Sequence, residues 1–180
     1  MANFYLYIQT LLQSNQVVSV QDYLFSVADS QVASRWGNIL DFKGFDLITP
    51  NEREARFALA DQDSTVGSLS GKICSLSKCK LLFLKLGEKG LFVNKPDAKN
   101  EKSYFSIDTF TDHIADAVGA GDALLAYATL SLLENKSVVA AAIISSIAAA
   151  CECEYDGNIP ITPEKVLNKL NSIEKRTNYG

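Results

Sequence analysis

Hydrophobic and polar positions along this chain follow two alternating periods. Short apolar runs at FSVAD (25–29), DLIT (46–49), KLLFLKL (80–86), LFVN (91–94) and YFSIDTF (104–110) read as strands. FSVAD is a brief apolar run ending in an acid, as a buried parallel strand would be. In YFSIDTF, Tyr104, Ser106 and Asp108 alternate with Phe105 and Ile107, the period of a strand with one covered face. KLLFLKL and GLFVN flank a GEKG turn and read as a hairpin or as a strand followed by its neighbour. Helical patterns fill the intervals: one after FSVAD through about Leu40, and one over NEREARFALA. From Gly119 onward the chain is mostly helix, over ALLAYATLSLLEN, SVVAAAIISSIAAACE and TPEKVLNKLNSI. The last opens with Thr162 as N-cap, Pro163 at the first helical position and Glu164 at the second, while Lys165 at the third leaves it without a capping box. Strands alternating with helices predict a three-layer, Rossmann-like α/β sandwich with a largely parallel sheet. In such folds ligands bind at the carboxyl ends of the strands.

Composition narrows the function. The 180 residues suffice for one domain with a core, and 47% apolar with 21% charged content is ordinary for a globular protein. A net charge of −4, with no basic run and no aromatic–basic interleaving, argues against nucleic acid or an anionic membrane as principal partner. The N-terminal MANFYLYIQTLLQSNQ lacks a positive leader and is too short to span a bilayer. The alanine-rich SVVAAAIISSIAAAC contains serines and runs into ECEYDG, so it predicts a buried helix. Cys74, Cys79, Cys151 and Cys153 form no C-x-x-C pair and His113 has no cysteine neighbour, the pattern of reduced thiols in a cytoplasmic protein and not of a zinc site.

Candidate chemistry lies in three stretches. The first is DAVGAGD (116–122), directly ahead of an apolar helix. Taken as a helix start, Gly119 to Asp122 carries unpaired amides and partial positive charge, and the glycines let a phosphate approach closely. Asp122 in the first turn could accept or orient the proton of an attacking hydroxyl. A dinucleotide fingerprint does not fit, because Leu124 stands where its third glycine belongs, and no Gly-Lys-Ser/Thr follows for a Walker loop. A plain glycine turn capping a helix also accounts for GAGD by itself. The second stretch, ITPNEREAR (48–56), predicts a helix with Thr49 as N-cap, Pro50 at the first position and Glu52 closing a capping box. Asn51 and Glu54 are left unexplained by that cap; three apart, they share a face at the end of DLIT, where they could hold a hydrated magnesium ion or be solvated. The third, KLGEKG (85–90), places Gly87 and Gly90 around a turn with Lys85 and Lys89, an ordinary hairpin turn or a backbone shelf beside phosphates.

In this order the three stretches resemble the ribokinase-like (PfkB-type) carbohydrate kinases. DAVGAGD is similar to that family's Asp-Thr-x-Gly-Ala-Gly-Asp signature, with Ala117 for threonine; Asn51 and Glu54 match its Asn-x-x-Glu; KLGEKG matches its Thr-x-Gly-x-x-Gly, with Lys85 for threonine. ITPNEREAR, LGEKG and the tail GNIPITPEKVL look most like the branch that phosphorylates heptose 7-phosphate. The resemblance runs from about Val27 to Ile173 and implies an ATP-dependent sugar kinase using Mg²⁺. Asp122 would be the catalytic base, and Gly119, Ala120 and Gly121 the anion hole. Asn51 and Glu54 would organise magnesium and phosphate, and Lys85, Gly87 and Gly90 would lie along the nucleotide. Asp116 would serve a monovalent-cation (K⁺) site. The adenine pocket would draw on the helix near Ser145 to Ala149, which lacks the asparagine often found there.

Family members are typically much longer and begin with a sugar-binding half and a β-lid. Neither is recognisable here: residues 1–24 are an atypical segment, 25–176 the partial kinase domain and 177–180 a tail. The implied partners are ATP, a sugar or sugar phosphate and, if the chain is the second half of a split gene, a separate chain supplying the sugar-binding half; a truncated reading frame is the other reading. The alternative is a non-catalytic nucleotide-binding or interaction module derived from such a kinase.

Overall fold

Five strands lie in chain order across one sheet: β1 (Val27–Ala28), β2 (Leu47–Ile48), β3 (Leu82–Lys85), β4 (Leu91–Asn94) and β5 (Tyr104–Ile107). The structure, a computed structural model, describes residues 24–29, 38–96, 104–135, 137–157 and 160–178. The helix expected ahead of Leu40 and the N-terminal segment fall mainly on 30–37 and 1–23, outside the described residues. β1, β2 and β3 are parallel neighbours, whereas β4 is antiparallel to both β3 and β5. Four strands therefore run one way and β4 against them. The KLLFLKL–GLFVN pair is a true hairpin, closed by a 3-10 turn at Gly87–Lys89. Five described helices follow the strands: α1 (Glu52–Leu59), α2 (Val66–Ser77), α3 (Ala120–Asn135), α4 (Val138–Cys153) and α5 (Pro163–Asn178).

The alternation of side chains along each strand divides the core into two layers. Ala28, Ile48, Leu82 and Leu84 face α1 and α2, where they meet Ala55, Leu69 and Ile73. Leu47, Leu81, Phe83, Leu91 and Val93 face the opposite way, onto Leu124, Ala128 and Leu132 of α3 and Ala141 and Ala142 of α4. Strands covered on both faces need apolar residues at consecutive positions, which is why LLFL is continuous. Full burial of Phe83 and Leu84 is worth about 1.5–3 kcal/mol each. β5 has a single covered face: Phe105 and Ile107 turn inward while Tyr104 and Ser106 are exposed, and the Tyr104 ring stacks on Phe92 at 5.4 Å. A third cluster, Ile147, Ala148 and Cys151 of α4 with Val166 of α5, fixes α5 outside the sandwich. The alanine-rich stretch is thus the buried helix α4, and no described helix is long and apolar enough to cross a membrane.

One expected helix start is corrected. Thr49 is not the N-cap of α1, and Glu52 does not close a capping box; the N-cap is Asn51 and its box partner is Glu54. The cause is sheet pairing. The Thr49 amide donates to the Ala28 carbonyl at 2.9 Å, the Lys85 amide donates to the Pro50 carbonyl at 2.9 Å, and Asn51 bridges Lys85 in parallel register. The extended backbone therefore continues two residues further than the capping pattern implied. Thr162 does cap α5, accepting from the Lys165 amide at 3.4 Å.

Candidate active site

The carboxyl ends of β2, β3 and β5 point to one edge of the sheet, and a cavity of about 670 Å³ opens there. One end of it is polar, with Asn51 after β2, Lys85 at the end of β3, and Gly121 in the first turn of α3. The other is largely apolar, with Leu91, Leu124 and Ile114 set against Ala149 and Ala150 of α4. Small side chains on α4 leave a flat wall. The Ser146 hydroxyl, on a buried residue lining the same cavity, has no partner among the described residues. Burial, with Glu152, Glu154 and Asp116 nearby, pushes the Cys153 thiol up and keeps it neutral on that wall.

Gly119 adopts φ +88°, immediately before α3 begins at Ala120. Left-handed backbone of this kind costs a side-chain-bearing residue strain that glycine avoids. The turn leaves the amides of Gly121 and Asp122 without acceptors among the described residues, while the Ala123 amide already bonds the Gly119 carbonyl at 2.9 Å. At Gly121 the need is space: an added Cβ would lie 3.1 Å from Lys85 Nζ and 3.5 Å from Asp29 Oδ2. Gly90, at φ +84°, admits no side chain, because its Cβ would fall 2.1 Å from the Ile107 carbonyl oxygen.

Of the residues singled out in the sequence, Asn51, Lys85, Gly87, Gly90, Ala120 and Gly121 line the cavity together. Gly119 and Asp122 stand at its edge without lining it, and the Asp122 side chain is exposed. Glu54 is 7% exposed and turned toward the chain, accepting from the Asn51 amide at 2.8 Å, while the Glu54 amide donates to Asn51 Oδ1 at 2.8 Å. These two residues, unexplained by the expected cap, are therefore the cap itself. Asp116 Oδ1 accepts the Val118 amide at 3.0 Å and shapes the loop before α3. Ser145 lies off the cavity, its hydroxyl bonded to the Ala142 carbonyl, and Ser146 takes the lining position.

Sequence reasoning did not single out the loop after β5. Thr109, Thr111, Asp112, His113 and Ile114 form a side of the cavity. The loop is fastened from below: the amides of Ala115 and Asp116 both donate to the Cys153 carbonyl, at 2.8 and 3.2 Å. Asp112 accepts from Arg176 Nη1 at 2.8 Å and from Lys169 Nζ at 3.2 Å, and Lys169 also binds Glu154. The Arg176 and Lys169 hydrogen bonds hold the Asp112 carboxyl down at about 2. Burial alone would lower Lys169, but its bonds to Glu154 and Asp112 prevail and raise it. Asp29 was also passed over as a site residue; its carboxylate binds Lys85 Nζ at 2.9 and 2.8 Å.

Known proteins match this chain in sequence and fold. Residues 8–165 match the family described as pfkB family carbohydrate kinase. The bifunctional protein HldE of Helicobacter pylori is 31% identical over 134 residues, covering 72% of this chain and 28% of that protein. HldE of Citrifermentans bemidjiense is 28% identical over 175 residues, covering 86% of this chain and 35% of its own length. Among solved structures, ribokinase from Thermotoga maritima aligns with a TM-score of 0.67 and 26% identity, over 81% of this chain and 48% of the ribokinase. The chain thus spans about a third of these curated relatives and about half of that ribokinase. By the family match over most of its length and by its ribokinase-like fold, the chain belongs to the pfkB family of carbohydrate kinases.

Proposed function

We propose that this chain is the nucleotide-binding and catalytic part of an ATP-dependent sugar kinase. It would move the γ-phosphoryl group of ATP to a hydroxyl of a sugar or sugar phosphate. A heptose phosphate is the acceptor favoured by the resemblance of ITPNEREAR, LGEKG and GNIPITPEKVL to the heptose 7-phosphate branch. The observation that carries the reading is the two-ended cavity. Its polar end, with Asn51, Lys85 and the open amide at Gly121, suits a polyphosphate; its apolar lining with Ala149 and Ala150 suits a base, with Ser146 as a hydrogen-bonding group.

In the transfer, the acceptor oxygen bonds to the γ-phosphorus, the bond to the bridging oxygen breaks with its electron pair leaving on ADP, and the hydroxyl proton passes to Asp122. Asp122 is exposed beside the first turn of α3 and so is open to an arriving acceptor. The amides at Gly121 and Asp122 stabilise charge on the transferring group. Mg²⁺, when bound, neutralises phosphate charge. Among the described residues no group of three or more His, Cys, Asp or Glu is placed to hold a metal ion. The donors present therefore fit an ion carried mainly by the nucleotide, with Asn51, which lines the cavity, reaching it through water and Glu54, buried and off the lining, holding Asn51 in the cap of α1. A potassium ion at Asp116 would use the carboxylate oxygen not committed to the Val118 amide.

We assign the sugar-binding surface to a second half, supplied by a separate chain. Leu130, Leu133 and Val139, which project from adjoining parts of α3 and α4 at 63%, 55% and 54% exposure, support this as an apolar face that such a half would cover. Calorimetric titration with ATP–Mg²⁺, with and without sugar phosphates and the complementing half, tests the reading. Sugar-dependent ATP consumption that falls at least about 100-fold in Asp122→Asn supports the kinase. Nucleotide binding with no sugar effect in any combination supports the non-catalytic module instead. No nucleotide binding at all refutes both.

A further inference from the structure

Next to the polar end of the cavity, though not itself lining it, stands an anion of the chain's own. Asp29, immediately after β1, extends its carboxylate to Lys85 at the end of β3, and both oxygens accept from the ammonium, at 2.9 and 2.8 Å. The pair is mostly shielded, with side chains 18% and 21% exposed. It packs directly against Gly121, within 3.1 and 3.5 Å of where a Cβ would project, beside the open amides of α3. A carboxylate there presents to the helix opening the charge that a phosphate oxygen would present. Lys85 stands where the resembling family motif has threonine, so this chain has an ammonium in place of a hydroxyl. An ammonium on a four-carbon stem can change partners by rotation alone.

We propose that Asp29 is a place-holding anion and Lys85 an exchangeable cation: the ligand-free chain keeps the ammonium on Asp29, and an incoming polyphosphate takes it over. This rests on the reading of the cavity as a nucleotide site and adds a positioning residue, Asp29, that acts through Lys85. Two consequences follow. Asp29 competes with the ligand, so its removal should tighten binding. Its effect must also vanish once Lys85 is gone.

The test is calorimetric titration of the full chain with ATP, with and without Mg²⁺, and with inorganic tripolyphosphate, which lacks a base. Asp29→Asn should bind all three about 3- to 10-fold more tightly, and Lys85→Met about 10-fold more weakly, as fits one charge-assisted hydrogen bond gained or lost. The double variant should bind no more tightly than Lys85→Met. Unchanged or weaker binding in Asp29→Asn overturns the exchange. Weakening confined to the Mg²⁺ titration would make Asp29 a metal ligand and overturns it equally. A readout independent of any variant's folding is the Lys85 side-chain NMR resonance of the wild-type chain. It should shift on adding tripolyphosphate; a signal that stays in place while tripolyphosphate binds refutes the proposal. If the wild type binds neither ATP nor tripolyphosphate, the reading of the site itself fails.

Discussion

Gly87 and Gly90 look equivalent in KLGEKG and are not. Both have positive φ, but nothing lies within 4 Å of a Cβ added at Gly87, whereas at Gly90 it would strike the backbone of Ile107 and Asp108. Gly87→Ala should cost about 1 kcal/mol of backbone strain, and Gly90→Ala several times that, because the end of β5 must move. Urea denaturation of both variants measures the difference; equal losses would show that the β3–β4 turn yields more easily than its contacts imply. A sequence marks both glycines as turn residues but cannot show which neighbour crowds one of them. The same limit applied at ITPNEREAR, where Thr49 with Glu52 reads as the capping box and Asn51 with Glu54 as a pair outside it. A carbonyl from β1 and an amide from β3 decided between them, both distant in sequence.

At the scale of elements, the strands and the last three helices were legible because their apolar runs are bounded by turn and capping residues. The loop after β5 was not. Its side of the cavity is built of threonines, Asp112, His113 and Ile114, ordinary loop residues that show no period, and only its anchorage to α4 and α5 gives it a defined place. That anchorage has an electrostatic signature. The Asp112 carboxyl is held at about 2, against an ordinary 3.8, by Arg176 first and Lys169 second, with Glu154 on the same lysine. A depressed folded value means that the contact favours the docked loop fully above about pH 4 and loses that effect as pH falls through about 2. In an NMR titration the Asp112 side-chain carbon should therefore have its midpoint near 2, and Arg176→Ala should return it toward 3.8. A midpoint near 3.8 in the wild type would mean that the loop is not fastened to α5.

For the whole molecule, the candidate site was legible as three stretches in the right order, while their convergence had to come from the fold. Asn51, Lys85 and Gly121 lie far apart in the chain and meet because β2 and β3 run parallel and end at the same edge. Asp29 escaped notice as a site residue because a strand-terminal acid has no partner until β1 is placed in the sheet. The projecting Leu130, Leu133 and Val139 carry the expectation at this scale. If a second half normally covers them, the chain by itself should self-associate with rising concentration in sedimentation, and Leu130→Lys with Leu133→Lys should restore a monomer without lowering the melting temperature. A wild-type chain that stays monomeric at every concentration would remove this support for a covering second half.

The last residue of α4 holds the strap that leads into the glycine step, and the inner face of that same helix forms the smooth wall of the cavity. The wall and the anchor of the loop ahead of Gly119 are thus carried on one rod. A group resting on Ala149 would therefore bear on the same helix whose Cys153 carbonyl anchors the loop ahead of Gly119.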